Sequence, residues 1–193
     1  VLFFVGLGSL GLTDRDEGRH AEAGREMYET GNYISPTFNY EPRFAKPVFV
    51  YWLMSLSYHV FGVSEFAARF PSAIFGVGLI LLQYLFLTRC RGPVVGLFGA
   101  AMLLLNLEII GLIRMALTDS VLIFFTTLSL YGFWLGLYGE GRERHYLWFF
   151  YIGMALATLT KGPIGFLIPM LAVGLHLWLT RSWGLFWRHG FPI

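Results

Sequence analysis

The sequence predicts an all-α, polytopic transmembrane protein whose extracytoplasmic first loop carries amphipathic helices. Three observations lead there. The 193 residues are 56% hydrophobic and only 13% charged, against roughly 25% charged in ordinary soluble domains, and the mean hydropathy is +0.61. Pro71–Thr88, Val94–Ile113 and Ser120–Tyr138 are each long enough to cross a hydrocarbon core of ~30 Å. The charge is also unevenly spread: Asp14 to Glu22 holds six charged side chains in nine residues, directly behind the apolar Val1–Leu12. Charge beside a bilayer needs water or a polar ligand, because unpaired ions in hydrocarbon are costly.

In chain order, Val1–Leu12 is too short to span a bilayer and reads as the outer end of a truncated first membrane helix. The chain starts without Met and ends on Phe191-Pro192-Ile193, so a piece of a longer protein is expected. Thr13 or Asp14 can cap a helix through Ala21, Met27 and Tyr28 that stops at Gly31. Intrahelical pairs such as Arg25 with Glu29 are the plain reading of its charges. Asn32–Arg43, with Pro36, Asn39 and Pro42, is a loop. Lys46 and Pro47 open a second helix to Phe61-Gly62. Phe49, Leu53, Leu56 and Val60 share one of its faces, and Tyr51, Ser55 and Tyr58 the other. Such a helix suits the membrane interface, or the surface of a partner helix. Leu147–Thr160 is shorter than a span, and Ile164–Thr180 is close to one. The expected division is 1–12 as the truncated helix, 13–70 as the outer loop and 71–181 as about five membrane helices, all within one domain.

Orientation follows the excess of basic residues on the cytoplasmic side. Arg89, Arg91, Arg142, Arg144, Arg181 and Arg188 fall in one set of breaks with Glu140 and Glu143. The long loop holds Arg15, Arg19, Arg25, Arg43, Lys46 and Arg69 with eight acidic residues. With the loop outside, Asp16, Lys46, Arg114, Asp119 and Lys161 come to one outer face. A proton-coupled transporter would place carboxylates deeper, on interrupted helices; Asn106 and Glu108 keep a transporter or flippase for lipid-linked sugars as the alternative. Acidic and basic groups at a membrane surface suit chemistry on a lipid-linked phosphate, where a carboxylate takes a proton and cations or a metal hold the departing charge. The net charge of +2 gives no case for nucleic acid, and the single Cys90 excludes an internal disulfide or a Cys-rich metal site. His20, His59, His145, His176 and His189 lack ligand spacing.

Five blocks carry a resemblance: Asp16 to Glu22, Lys46-Pro47 with Tyr51-Trp52, Phe66 to Ser72, Met115 to Asp119, and Leu159 to Pro163. In this order they resemble the amino-terminal part of the GT-C glycosyltransferases that use polyprenyl-phosphate sugars, of the protein O-mannosyltransferase and lipid A aminoarabinose transferase type. The resemblance implies an inverting transfer of a sugar to a hydroxyl or phosphate acceptor, lipid or protein, in the plasma (inner) membrane with the site facing outside the cytoplasm. It implies Asp16 as the catalytic carboxylate, assisted by Asp119, with Lys46 on the donor phosphate. Glu17 is placed beside them as catalytic or as a helix cap. Arg19, Arg69, Arg114 and Lys161 are candidate substrate-binding cations, with snorkelling to the interface as the plain alternative for Arg69, Arg114 and Lys161. Two positions depart from the aminoarabinose branch: Ala45 stands where an acidic residue able to serve a metal is typical, and Val48 where a second proline is. The metal ligands are therefore left open, with room for a divalent ion.

Cys90 gives the orientation a direct check. In intact cells a membrane-impermeant thiol reagent should leave it unlabelled until the membrane is permeabilised; labelling of intact cells would put Asp16 on the cytoplasmic side.

Overall fold

The computed structural model describes residues 3–12, 14–139 and 144–189. Val1, Thr13, Glu140, Arg142 and Glu143, which the capping, span and charge readings used, lie outside the described residues, as does the Arg188 side chain. The chain divides into two compact units, Val1–Val121 and Leu122–Ile193.

The first unit is built on α1 (Arg15–Thr30). Asp14 caps it, its carboxylate accepting from the amides of Asp16 at 2.8 Å and Glu17 at 3.3 Å. Gly31 ends it in the left-handed region, φ 68°, where a residue with a Cβ is strained. Arg25 bridges Glu22 and Glu29, each at 2.6 Å. A two-stranded hairpin follows within the expected loop, β1 (Thr37–Phe38) antiparallel to β2 (Glu41–Pro42). The buried carboxylate of Glu26 holds it, accepting from Thr37 Oγ1 at 2.5 Å and from the Tyr40 amide at 3.1 Å.

Helix α2 (Phe49–Phe61) turns its Tyr51, Ser55 and Tyr58 face inward and leaves Leu56 and Val60 exposed. The apolar face is thus the outer one, as an interfacial helix requires. The Tyr58 hydroxyl donates to Ala21 O of α1 at 3.0 Å. Gly24 lets the two helices close, since a Cβ there would meet Met54 at 2.9 Å.

Helix α3 (Glu65–Arg91) begins six residues before the expected boundary at Pro71, because Ser64 caps it by accepting from the Ala67 amide. Pro71 lies inside the helix, so the boundary between 13–70 and 71–181 falls within one element. The expected span Val94–Ile113 is interrupted. Helix α4 (Pro93–Leu104) and α5 (Leu107–Ile113) meet at 68°. At the break the Asn106 side chain accepts from the Ile109 amide at 3.1 Å, starting a new helix in mid-segment. Residues 3–10 form turns rather than the end of a helix. Their glycines explain this: Gly6 has φ 65°, and a Cβ on Gly8 would press on Phe66 at 3.0 Å. Phe3 and Leu7 are nevertheless buried, in a cluster with Ala73 and Ile113.

Among the described residues α3 and α6 (Asp119–Tyr138) are long and apolar enough to cross a membrane, and the bent α4–α5 pair brings the count to as many as three. In the second unit α6 packs with α7 (Leu147–Lys161) and α8 (Pro163–Leu179), followed by α9 (Trp183–His189). Small residues allow close helix contact, the usual solution in lipid. A Cβ on Gly153 would meet Phe125 O at 2.8 Å, and one on Gly165 would overlap the Ala157 backbone. Gly162 (φ 77°) and Pro163 form the turn after Lys161, the last residue of α7.

One ion pair ties the first unit together. Arg69, on α3, donates from Nε to Glu17 Oε1 at 2.7 Å and from Nη2 to Oε2 at 3.0 Å. Its other donors reach the carbonyls of Leu7, Leu10 and Gly11. Removing one partner of a buried pair leaves a desolvated charge, at a cost of about 3–5 kcal/mol. Glu17→Gln should therefore lower the detergent melting temperature sharply, whereas Glu29→Gln, in an exposed pair, should shift it little.

Candidate active site

The site is set by the first turn of α1. With Asp14 as cap, Asp16 and Glu17 are adjacent helical residues about 100° apart around the axis, so they face different surroundings. The Asp16 side chain is 62% exposed and meets Arg19 at 3.3 Å, while that of Glu17 is 0% exposed. Glu17 Oε1 also accepts from the Ala116 amide at 2.8 Å.

His20 lies one turn beyond Asp16 on the same face. Its Nδ1 is 2.7 Å from the Asp16 carbonyl oxygen; a carbonyl only accepts, so Nδ1 carries the proton and Nε2 the lone pair. The ring stands 6.0 Å from the ring of Tyr51 on α2. Burial lowers the His20 pKa to about 4, helped by the charges of Arg43 and Lys46 and opposed by those of Asp16 and Asp119. The imidazole is therefore neutral at neutral pH. Two carboxylates and two cations, from α1, the segment after the hairpin and the start of α6, act together on this one buried ring.

Asp119 is the first residue of α6 and half-buried; Lys46 is half-buried and makes no ion pair among the described residues. The plain alternative of a helix-start role for Asp119 is compatible with its place. Arg19 is spent on the exposed pair with Asp16. Arg114 ends α5 and lies beside Gly6, near the turns of residues 3–10. Lys161 belongs to the second unit, at the turn into α8. Glu17 and Arg69 differ most from the sequence expectation. All five Arg69 donors are taken by protein acceptors and both Glu17 oxygens are engaged. These bonds tie both residues into the frame of the unit.

Sequence reasoning missed three residues. His20 was dismissed for want of metal spacing, although its i+4 relation to Asp16 already put both on one helix face. Tyr51 was read as part of a block and of one face of the second helix, and Arg43 only as one of six loop cations. Tyr51 is fully buried, and the buried Nε of Arg43 has no acceptor. Burial raises the Tyr51 pKa, and Arg43 acts against it through its charge and a side-chain hydrogen bond.

Residues 13–193 match the family model described as "Dolichyl-phosphate-mannose-protein mannosyltransferase". The chain belongs to this family. Among similar proteins, an "Uncharacterized protein" of Aquifex aeolicus (strain VF5) is 35% identical over 93% of this chain and 36% of its own length. The "Undecaprenyl phosphate-alpha-4-amino-4-deoxy-L-arabinose arabinosyl transferase 2" of Pseudomonas fluorescens (strain Pf0-1) is 33% identical over 93% of this chain and 33% of its own length. The crystal structure of ArnT from Cupriavidus metallidurans bound to undecaprenyl phosphate superposes with a TM-score of 0.92 at 28% identity, over 97% of this chain and 35% of that one. The chain thus spans about a third of the length of the relatives it matches. It is an integral, polytopic α-helical membrane protein.

The neutral His20 gives a pH signature with a definite sign. An unfolded histidine ionises near about 6.5, so the unfolded state takes up the proton first as pH falls. Stability should be complete above pH ~6.5 and decline toward the folded value of about 4. From pH 7 to pH 5 the loss is about 2 kcal/mol, read as a falling detergent melting temperature. In His20→Gln that slope should flatten.

Proposed function

We propose that this chain is the amino-terminal part of a membrane glycosyltransferase that moves a sugar from a polyprenyl-phosphate donor to a hydroxyl or phosphate acceptor on a lipid or protein. The site faces outside the cytoplasm at the plasma membrane. One observation carries the reading: Asp16 and Asp119, remote in sequence, act on the same buried imidazole as Lys46 and Arg43. Two carboxylates brought into one place repel unless a cation, proton or ligand lies between them. A fold gains little from that placement, and a reaction that moves a proton and releases a phosphate uses it. The likeness to a structure bound to undecaprenyl phosphate supports the donor class.

In the reaction the acceptor oxygen bonds to the sugar's anomeric carbon as the carbon–oxygen bond to the phosphate breaks. The acceptor proton passes to Asp16, which is exposed and held only by a weak surface pair. The bonding electrons leave on the phosphate oxygen, whose added negative charge falls to Lys46 and its neighbours. Asp119 balances the cations on the side of α6. Glu17 and Arg69 take no part in the chemistry and hold α1 in place.

In the full-length protein Asp16→Asn keeps the shape and removes the base. Transfer of radiolabelled sugar should fall by about 10²–10⁴-fold, with undecaprenyl phosphate binding unchanged. Near-normal turnover would leave Asp16 a loop residue, and lipid translocation without any transfer would favour the transporter reading.

A further inference from the structure

We propose that Arg43 is a fixed cation on the leaving phosphate, doing with a side chain what an acidic residue and a divalent metal would otherwise do at this position. The inference rests on the glycosyl-transfer reading above and adds to it a residue and a metal independence.

The first observation is that Arg43 is built into place and paired with no carboxylate among the described residues. Its amide donates to Pro36 O at 2.8 Å, closing the hairpin that Glu26 holds from α1. Its guanidinium lies over the Phe38 ring, 5.2 Å from the centroid. It forms no salt bridge among the described residues, and its Nε is buried without an acceptor. The bland alternative is a cation–π contact at the surface, worth about 0.5–1 kcal/mol. That contact leaves the buried donor unexplained, because an unmet buried donor costs about as much or more.

The second observation is the kind of neighbour it has. Arg43 acts on His20, which is neutral at neutral pH, and on the phenol of Tyr51, with which it also shares a side-chain hydrogen bond. Neither is an anion; of the carboxylates acting on the same imidazole, Asp16 is already paired with Arg19. A forked donor presents several N–H groups to one anion, which is how arginine recognises phosphate.

The third is the donor set. Ala45 offers no ligand atom, and no cluster of three or more His, Cys, Asp or Glu side chains suited to a metal exists among the described residues. Arg43 and Lys46 would both repel a dication there, offsetting the attraction of Asp16 and Asp119. The residues present therefore do not fit a divalent ion, and they do fit a phosphate. As the sugar–phosphate bond breaks, the diester's single negative charge becomes the two of a monoester, and two fixed cations meet it without a co-reactant.

The test uses the full-length protein, with undecaprenyl phosphate as the probe. Arg43→Gln should weaken its binding by about tenfold or more, Arg43→Lys by less, and chelation with EDTA should leave wild-type transfer unchanged. A folded Arg43→Gln protein with unaltered binding would overturn the assignment. So would a loss confined to the KM of a phosphorylated acceptor, which would move Arg43 to the acceptor side. Loss of wild-type transfer on chelation, restored by a divalent metal, would overturn it even if the Gln variant failed to fold. Absence of both binding and transfer in the wild type would instead sink the glycosyl-transfer reading on which the inference stands.

Discussion

The first unit depends on a buried carboxylate–guanidinium pair, Glu17 with Arg69. Taking both charges out of water costs several kcal/mol for each ion, and only full hydrogen bonding offsets it. Here it is full: the guanidinium's five donors and both carboxylate oxygens are satisfied. The partners come from four separate places: α1, α3, the turns at residues 7–11 and the backbone of Ala116. A hydrophobic contact could hold these elements together as strongly, but it would leave α1 free to rotate or slide. The bidentate pair fixes its rotation, and with it the side of the helix on which Asp16 stands.

Two carboxylates adjacent in sequence thereby receive opposite tasks. Glu17 is desolvated, paired and fixed, while Asp16 is open to solvent and loosely held. A proton acceptor must exchange with its surroundings, and a structural charge must not. The same logic extends along α1. Glu26 lies nine residues beyond Glu17, about 180° around the helix at 100° per residue. It holds the hairpin that precedes Arg43, as Glu17 holds α3. The helix is clamped by a buried carboxylate on each side, and the face between them carries Asp16 and His20.

Much of this was legible because it was local. The Asp14 cap, Gly31 and Gly62 ends, the two faces of α2 and the run Ser120–Tyr138 follow from capping, backbone freedom and periodicity, which a few neighbouring residues decide. What escaped was decided elsewhere. Asn106 is one polar residue in an apolar run, and hydropathy averages it away, yet its side chain starts α5 and bends the segment. Glycines at 6 and 8 outweighed the apolar character of the first residues. Glu17 and Arg69 looked like site charges because sequence shows that a residue is ionic and not what partners it. His20 and Arg43 were hidden for the converse reason, since their burial and surroundings are supplied only by the fold.

The unit therefore sorts its charges by satisfaction rather than by residue type. Carboxylates and cations with complete partners, Glu17, Glu26, Arg69 and the Arg25 network, make the frame. Those held more loosely or without an ion-pair partner among the described residues, Asp16, Lys46 and Arg43, act together on a neutral imidazole. Under-satisfied buried polar groups cost stability, so a fold tolerates them where a ligand completes them. The frame is what makes that cost bearable. Because Glu17 and Glu26 fix α1 and the hairpin independently of any ligand, the site can remain incomplete without collapsing onto itself.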